Sequence, residues 1–161
     1  AHVRVVARDY RIRQHLDVIV LMERRRARKL NLPDNWTVDD WLHALDYFDH
    51  RCAVCGKAAS GSRFLAADHW IPLASDDEKN PGTVPWNMVP LCHGNRGCNN
   101  SKGAIHPHEW LKKSQGSQWR TKADKIEGYL KMRYSHYHPG ETGWRRFLGM
   151  LRSLAGFSSL N

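Results

Sequence analysis

What the chain has little of sets its first bounds. No stretch approaches the run of about 20 apolar residues that crosses a bilayer; the longest apolar run, Leu16 to Met22, is broken by Asp17 and followed by arginines. No membrane partner is expected. The amino terminus lacks the charged, then apolar, then small pattern of a secretory signal, so a cytoplasmic location is the expectation. Internal repeats and low-complexity tracts are absent. Cysteine is scarce: Cys52, Cys55, Cys92 and Cys98 fall within 47 residues, in two clusters, and none is left over. In a reducing compartment that arrangement favours a metal site over disulfides. Carboxylates are outnumbered, 16 Asp and Glu against 25 Lys and Arg, and a net charge of +9 points to a polyanionic partner.

The charge is unevenly spread. Residues 1–30 carry 9 basic and 3 acidic side chains, residues 31–103 carry 6 and 9, and residues 104–161 carry 10 and 4. A carboxylate-rich centre between two cationic arms suits a protein that grips phosphates at its edges and holds a metal in its middle. Solvated helix faces are the plainer explanation of the arms. At 161 residues one domain is the default, with a basic helical region over 1–50, a core over 51–113 and a second basic helical region over 114–161.

Hydrophobic periodicity predicts a helix over 8–30, with Tyr10, Ile12, Leu16, Ile19, Val20 and Leu30 as an apolar stripe broadened by Val18, Leu21 and Met22. Asn31 to Asn35 supplies turn residues, and Thr37 followed by Asp40 is a capping pattern opening a helix from Val38 to Phe48. A turn holding Cys52 and Cys55 then leads to a strand, Arg63 to Trp70. Leu73 to Pro85 is polar and broken by prolines, which predicts an exposed loop before a second strand, Trp86 to Leu91. A helix is expected from Asn99, kinked or restarted at Pro107. After a break at Ser114 to Ser117 come helices over 121–134 and from Trp144 to about Leu154. The expected class is α+β, mainly helical.

Cys52-x-x-Cys55 has the standard spacing for half of a tetrahedral zinc site, whereas Cys92-x5-Cys98 needs a looped second half. Four thiolates on a structural zinc is the leading reading; a site in which His93 replaces a cysteine, or a set of reduced core cysteines, are the others. Between the pairs stands Asp68-His69, with Asn87 further on and Asn99-Asn100-Ser101-Lys102 directly after the last cysteine. A histidine is a suitable base near neutral pH, with an unperturbed pKa of about 6.5. A carboxylate and an amide oxygen suit a hard divalent cation whose other positions go to water and phosphate. Neighbouring strand residues point to opposite faces, so Asp68 and His69 can share a site only where the backbone twists or bulges. Each residue also has an ordinary reading: Asp68-His69 as a surface carboxylate beside a satisfied histidine, Asn87 as turn chemistry, and Asn99 as a helix N-cap, with Asn100 a rival for any ligand role.

Taken together, CAVC, DHWIP, NMVPLC and CNNSK, in that order over Trp41 to Lys102, resemble the HNH endonuclease family. The resemblance covers roughly two fifths of the chain. It departs from the family pattern in the widened second cysteine pair and in a loop without the frequent Gly-Gly. What it implies is a central ββα-metal motif with zinc knuckles, in which Asp68 and Asn99 hold a magnesium or manganese ion, His69 is the general base and Asn87 orients its imidazole. It further implies hydrolysis of DNA phosphodiesters, by nicking or double-strand cleavage, in a bacterial or phage-infected cell.

Candidate DNA contacts are Arg24, Arg25, Arg26, Arg28 and Lys29, five cations in six positions, with Lys102, Lys112 and Lys113 beyond the last cysteine. Arg120, Lys122, Lys125, Arg145, Arg146 and Arg152 extend the second cationic surface, while Trp119 and Tyr134 to Tyr137 are expected to pack rather than stack. His106 and His108 are expected at the surface or against DNA. The partner is expected to be double-stranded DNA, bound by a monomer or homodimer. The alternative function is a zinc-stabilised DNA-binding module without catalysis; RNA cleavage or a toxin nuclease is a third reading, since phosphate contacts say little about the sugar.

Overall fold

The computed structural model describes residues 2–75, 80–141 and 143, with the backbone alone over 2–12. The helix expected from Trp144, with Arg145, Arg146 and Arg152, lies outside the described residues. In chain order the elements are α1 (His2–Arg28), α2 (Val38–Tyr47), β1 (Phe64–His69), β2 (Met88–His93), α3 (Cys98–Lys102), α4 (Pro107–Gln115) and α5 (Trp119–Tyr137), with short 3-10 turns at Pro85–Asn87 and Gly116–Gln118. The class is α+β, about half helical, around one two-stranded antiparallel sheet.

Helix α2 begins where the capping pattern predicts. The Thr37 hydroxyl accepts from the Asp40 amide, and the Asp40 carboxylate accepts from the Thr37 amide, satisfying two of the helix's free donors. Its inner face, Trp41, Ala44 and then Phe48, joins Trp36, Met88, Val89 and Leu91 in the core. Trp36 and Trp41 meet edge to face at 5.8 Å. Residues Met88 to Cys92 of β2 are all buried, because the strand is covered on both faces, whereas β1 is buried only at Asp68 and His69. From the far side, Trp110 and Leu111 of α4 and Ala123, Ile126, Tyr129 and Leu130 of α5 complete the core.

Three expectations need correction. Leu30 does not continue the inner stripe of α1: the helix ends at Arg28, the chain turns through Asn31 at φ 55°, and Leu30 is exposed, as are Val18, Leu21 and Met22. The second strand starts two residues late, because Trp86 and Asn87 belong to the 3-10 turn. The segment read as an exposed loop is buried over 80 and 82–85. There the side-chain amide of Asn80 donates to the carbonyls of Pro72 and Leu73, and its oxygen accepts from the Gly82 amide. Backbone polar groups that a buried loop would orphan are thus paired. Gly82 sits so close to Pro33 that a Cβ would stand 2.2 Å from its carbonyl oxygen.

Candidate metal centre and active-site cavity

The sulfurs of Cys52, Cys55, Cys92 and Cys98 lie within 4.8 Å of one another, close enough to hold a metal ion. The first knuckle closes through Gly56 N to Cys52 O and Cys52 N to Lys57 O, and is fastened to β2 by Ala53 N to Pro90 O. The widened second pair is accommodated by a turn in which Gly97 N donates to Gly94 O. Gly97 is required by packing, since a Cβ there would stand 2.5 Å from the Cys92 carbonyl oxygen. Asn100 is consumed in bracing that turn, accepting from the Gly94 amide. His93 turns its ring against Phe64 instead of joining the sulfurs. A hydrogen bond from the Cys98 thiol, aided by backbone amides against the opposing effect of burial, holds Cys52 far below the ordinary thiol range, at about 4. The same contact with Cys52, together with burial, pushes Cys98 up. A cation bound here would take the sulfurs as thiolates, displacing the thiol protons to solvent.

A cavity of about 430 Å³ opens beside the end of β1, and Asp68, His69 and Asn99 all line it, with Arg26 and Lys29 of the first basic region. The expected bulge is not what brings Asp68 and His69 together: the ladder runs regularly through Asp68↔Val89 and His69↔Met88. Instead β1 ends at His69, and the cavity wraps around the strand's end. Asn99 is the second residue of α3, whose N-cap is Gly97, so the N-cap reading of Asn99 does not hold.

Lys102 is the largest departure. Expected as a surface phosphate contact, it is 1 % exposed; its ammonium lies 2.7 Å from Asp68 Oδ1 and donates to the His69 carbonyl. The helix turn that brings Asn99 to the cavity also carries Lys102 beneath it. Burial outweighs this cation and leaves the Asp68 carboxyl above its ordinary pKa. His69 is 5 % exposed, and burial first, then Arg26 and Lys102, hold its imidazole down at about 3, neutral at physiological pH.

Asn87 spends its side-chain hydrogen bonds away from the imidazole, contrary to the role the resemblance implied. Its oxygen accepts from Ile71 N, and its amide donates to the carbonyls of Ile71 and Gly82, so it ties the two ends of the 71–82 segment together. The imidazole's partner is Thr83, whose Oγ1 lies 2.8 Å from His69 Nε2. Across the ring, Glu23 Oε2 of α1 stands 3.9 Å from Nδ1 and pairs with Arg26. Burial raises the Glu23 pKa, with Arg26 opposing. Neither Thr83 nor Glu23 carries a sequence signal; they arrive through tertiary packing alone.

Of the first cationic cluster, Arg24 and Arg28 both face Asp34, Arg26 pairs with Glu23, and Arg25 and Lys29 are exposed. Lys113 pairs with Glu109 one turn away, and Lys112 lies over the Trp119 ring. Lys122 donates to the Val54 carbonyl, joining α5 to the first cysteine knuckle. His108 is not at the surface: it is buried and its Nε2 bonds Glu127, bracing α4 against α5. Among the described residues no helix is long and apolar enough to cross a membrane. The chain matches no family model, no curated protein and no solved structure.

Proposed function

We propose that this chain is a metal-dependent endonuclease of the HNH type that hydrolyses DNA phosphodiester bonds. One observation carries the reading: a carboxylate, a neutral imidazole and a side-chain amide, from β1 and α3, line one cavity together with Arg26 of α1 and Lys29 directly after its end. That set suits hydrolysis of a polyanion, in which a water loses a proton as it attacks phosphorus and negative charge grows on the phosphate.

The residues fit a hard divalent cation, magnesium or manganese. Asp68 and Asn99 offer oxygen donors, and Lys102 engages Asp68 through Oδ1, leaving the other carboxylate oxygen for an ion. Such an ion would neutralise the phosphate and the departing oxygen. In the proposed cycle His69 removes the proton from the attacking water, and Arg26 and Lys29 hold phosphate oxygens. The cysteine cluster takes zinc as a structural staple: four thiolates form the usual closed ligand set, and they tie the first knuckle to β2 and the start of α3. Double-stranded DNA is the proposed substrate, bound by a monomer or a homodimer, with a cytoplasmic setting.

A specific observation supports a second reading, a zinc-stabilised DNA-binding module. Lys102 already compensates the Asp68 charge at 2.7 Å, as a structural pair would. Supercoiled plasmid incubated with the zinc-loaded protein and magnesium or manganese decides between them. Relaxation or linearisation that is lost in His69→Ala supports the nuclease. Equal plasmid binding by both proteins, without cleavage across metals, favours the binding module.

A further inference from the structure

The imidazole of His69 has two nitrogens, and only a bare one can take a proton from water. Which one is bare follows from the hydroxyl beside it. Thr83 is fully buried and its backbone is fixed on both sides, its amide donating to Pro33 O and its carbonyl accepting from Trp36 N. Its side chain therefore has little freedom to choose partners. Oγ1 lies 3.1 Å from the backbone carbonyl of Glu23 and 2.8 Å from His69 Nε2. A hydroxyl owns one hydrogen and two lone pairs. The Glu23 carbonyl can only accept, so the hydrogen is spent there, and the contact with Nε2 must be one in which the ring donates.

We propose that Thr83 is a positioning residue that locks His69 in the Nε2–H tautomer and presents a bare Nδ1 to the cavity, with the backbone of α1 as the anchor. The surroundings of Nδ1 agree. Its nearest carboxylate oxygen, Glu23 Oε2, stands at 3.9 Å, outside hydrogen-bond range, and is held by Arg26 at 2.7 Å. The base is thereby joined to the helix that supplies Arg26 and leads directly into Lys29. The tautomer assignment stands on geometry alone; its consequence for rate rests on the nuclease reading.

The test uses zinc-loaded protein labelled with 15N-histidine. The chain has 10 histidines, so the His69 resonances are assigned by their loss in His69→Gln. Wild-type His69 is expected to show a protonated Nε2 and a bare Nδ1. Thr83→Val keeps the shape and removes the hydroxyl, and is expected to give a mixture of tautomers. Its kcat for plasmid cleavage is expected to fall about 10- to 100-fold with little change in KM, the scale set by loss of an imidazole's outer partner. Thr83→Ser restores the hydroxyl and is expected to recover both signals. A protonated Nδ1 in the wild type, or an unchanged His69 spectrum in folded Thr83→Val, overturns the proposal. The expected spectra in a protein that cleaves nothing uphold the tautomer and overturn the nuclease reading.

Discussion

Lys102 and Asp68 form a buried ion pair at the cavity, and replacing them tests the site's electrostatics directly. The ammonium is 1 % exposed and the carboxylate side chain 10 %, 2.7 Å apart. At an effective dielectric of about 20 their gross attraction is about 6 kcal/mol. Desolvation of both charges consumes most of that, so the pair's net worth is small while the cost of breaking it is large. Lys102→Met leaves a buried carboxylate alone and takes the donor from the His69 carbonyl, for an expected loss of about 3–5 kcal/mol. Asp68→Asn strands the ammonium and costs a similar amount. The double variant removes both charges and is expected to be about 2–3 kcal/mol more stable than the sum of the single losses. Urea unfolding of zinc-loaded protein, followed by far-ultraviolet circular dichroism without added magnesium, measures all four corners of the cycle. Losses that add to within about 0.5 kcal/mol would refute the reasoning, since additivity is the mark of independent sites.

Other consequences follow from the same geometry. Cys52→Ser should lower the melting midpoint far more than His69→Ala, because a metal held by four sulfurs contributes folding energy outright; equal losses in calorimetry would contradict that division of roles. Asp40 closes the α2 capping box and also receives Arg133 and the Tyr137 hydroxyl. Asp40→Ala should therefore cost about 3–5 kcal/mol in urea unfolding, the toll of an unpaired buried guanidinium, and a loss below about 1 kcal/mol would show that the cap alone matters. Burial, then the bond to Asp40, raises the Tyr137 phenol from 10 to about 12. A raised pKa stabilises fully below the unfolded value and is lost as pH climbs through the folded one. The stability advantage of the wild type over Tyr137→Phe should thus fade between pH 10 and about 12, and a difference constant over that window would refute it. In DNA binding, Arg26→Ala with Lys29→Ala should flatten the plot of log affinity against log salt by about 2, whereas Arg24→Ala with Arg28→Ala, which face Asp34, should change it less.

Much of this architecture was legible because it is local. The α2 start depends on Thr37 and Asp40, three residues apart, and the first knuckle on Cys52 and Cys55; such short-range patterns carry their own geometry. The restart at Pro107 was equally readable, since proline suits a helix's first turn. What escaped is non-local. Asn87 reads as turn chemistry or as an imidazole's partner, and only the folded chain shows its three bonds going to Ile71 and Gly82. Glu23 and Thr83 are 60 positions apart yet joined by one hydrogen bond. Lys102 read as a surface phosphate contact because lysine is usually exposed; its burial comes from partners far away in sequence, since its ammonium is seated against Asp68 and the His69 carbonyl of β1 while Ser101 beside it stays exposed.

Helix periodicity accounts for the division of labour among the basic residues of α1, which their density alone does not. Positions 23 and 26 are one turn apart and share a face, and Lys29 follows three further on as the helix ends; this is the face that meets the cavity. Positions 24 and 28 lie on another face, and both turn to Asp34. A count of cations therefore overstates the phosphate grip. Exposed pairs such as Arg28 with Asp34 are worth little in themselves, so their place in the fold is to orient the helix end against the 34–36 segment, while Arg26 and Lys29 are left lining the cavity. Because the Thr83 hydroxyl hangs from a carbonyl of this same helix, any shift of α1, such as one on engaging the proposed phosphate, would move the imidazole's support with it. On the proposed nuclease reading, binding and base geometry would then be coupled through a single element instead of through the flexible reach of a surface arm.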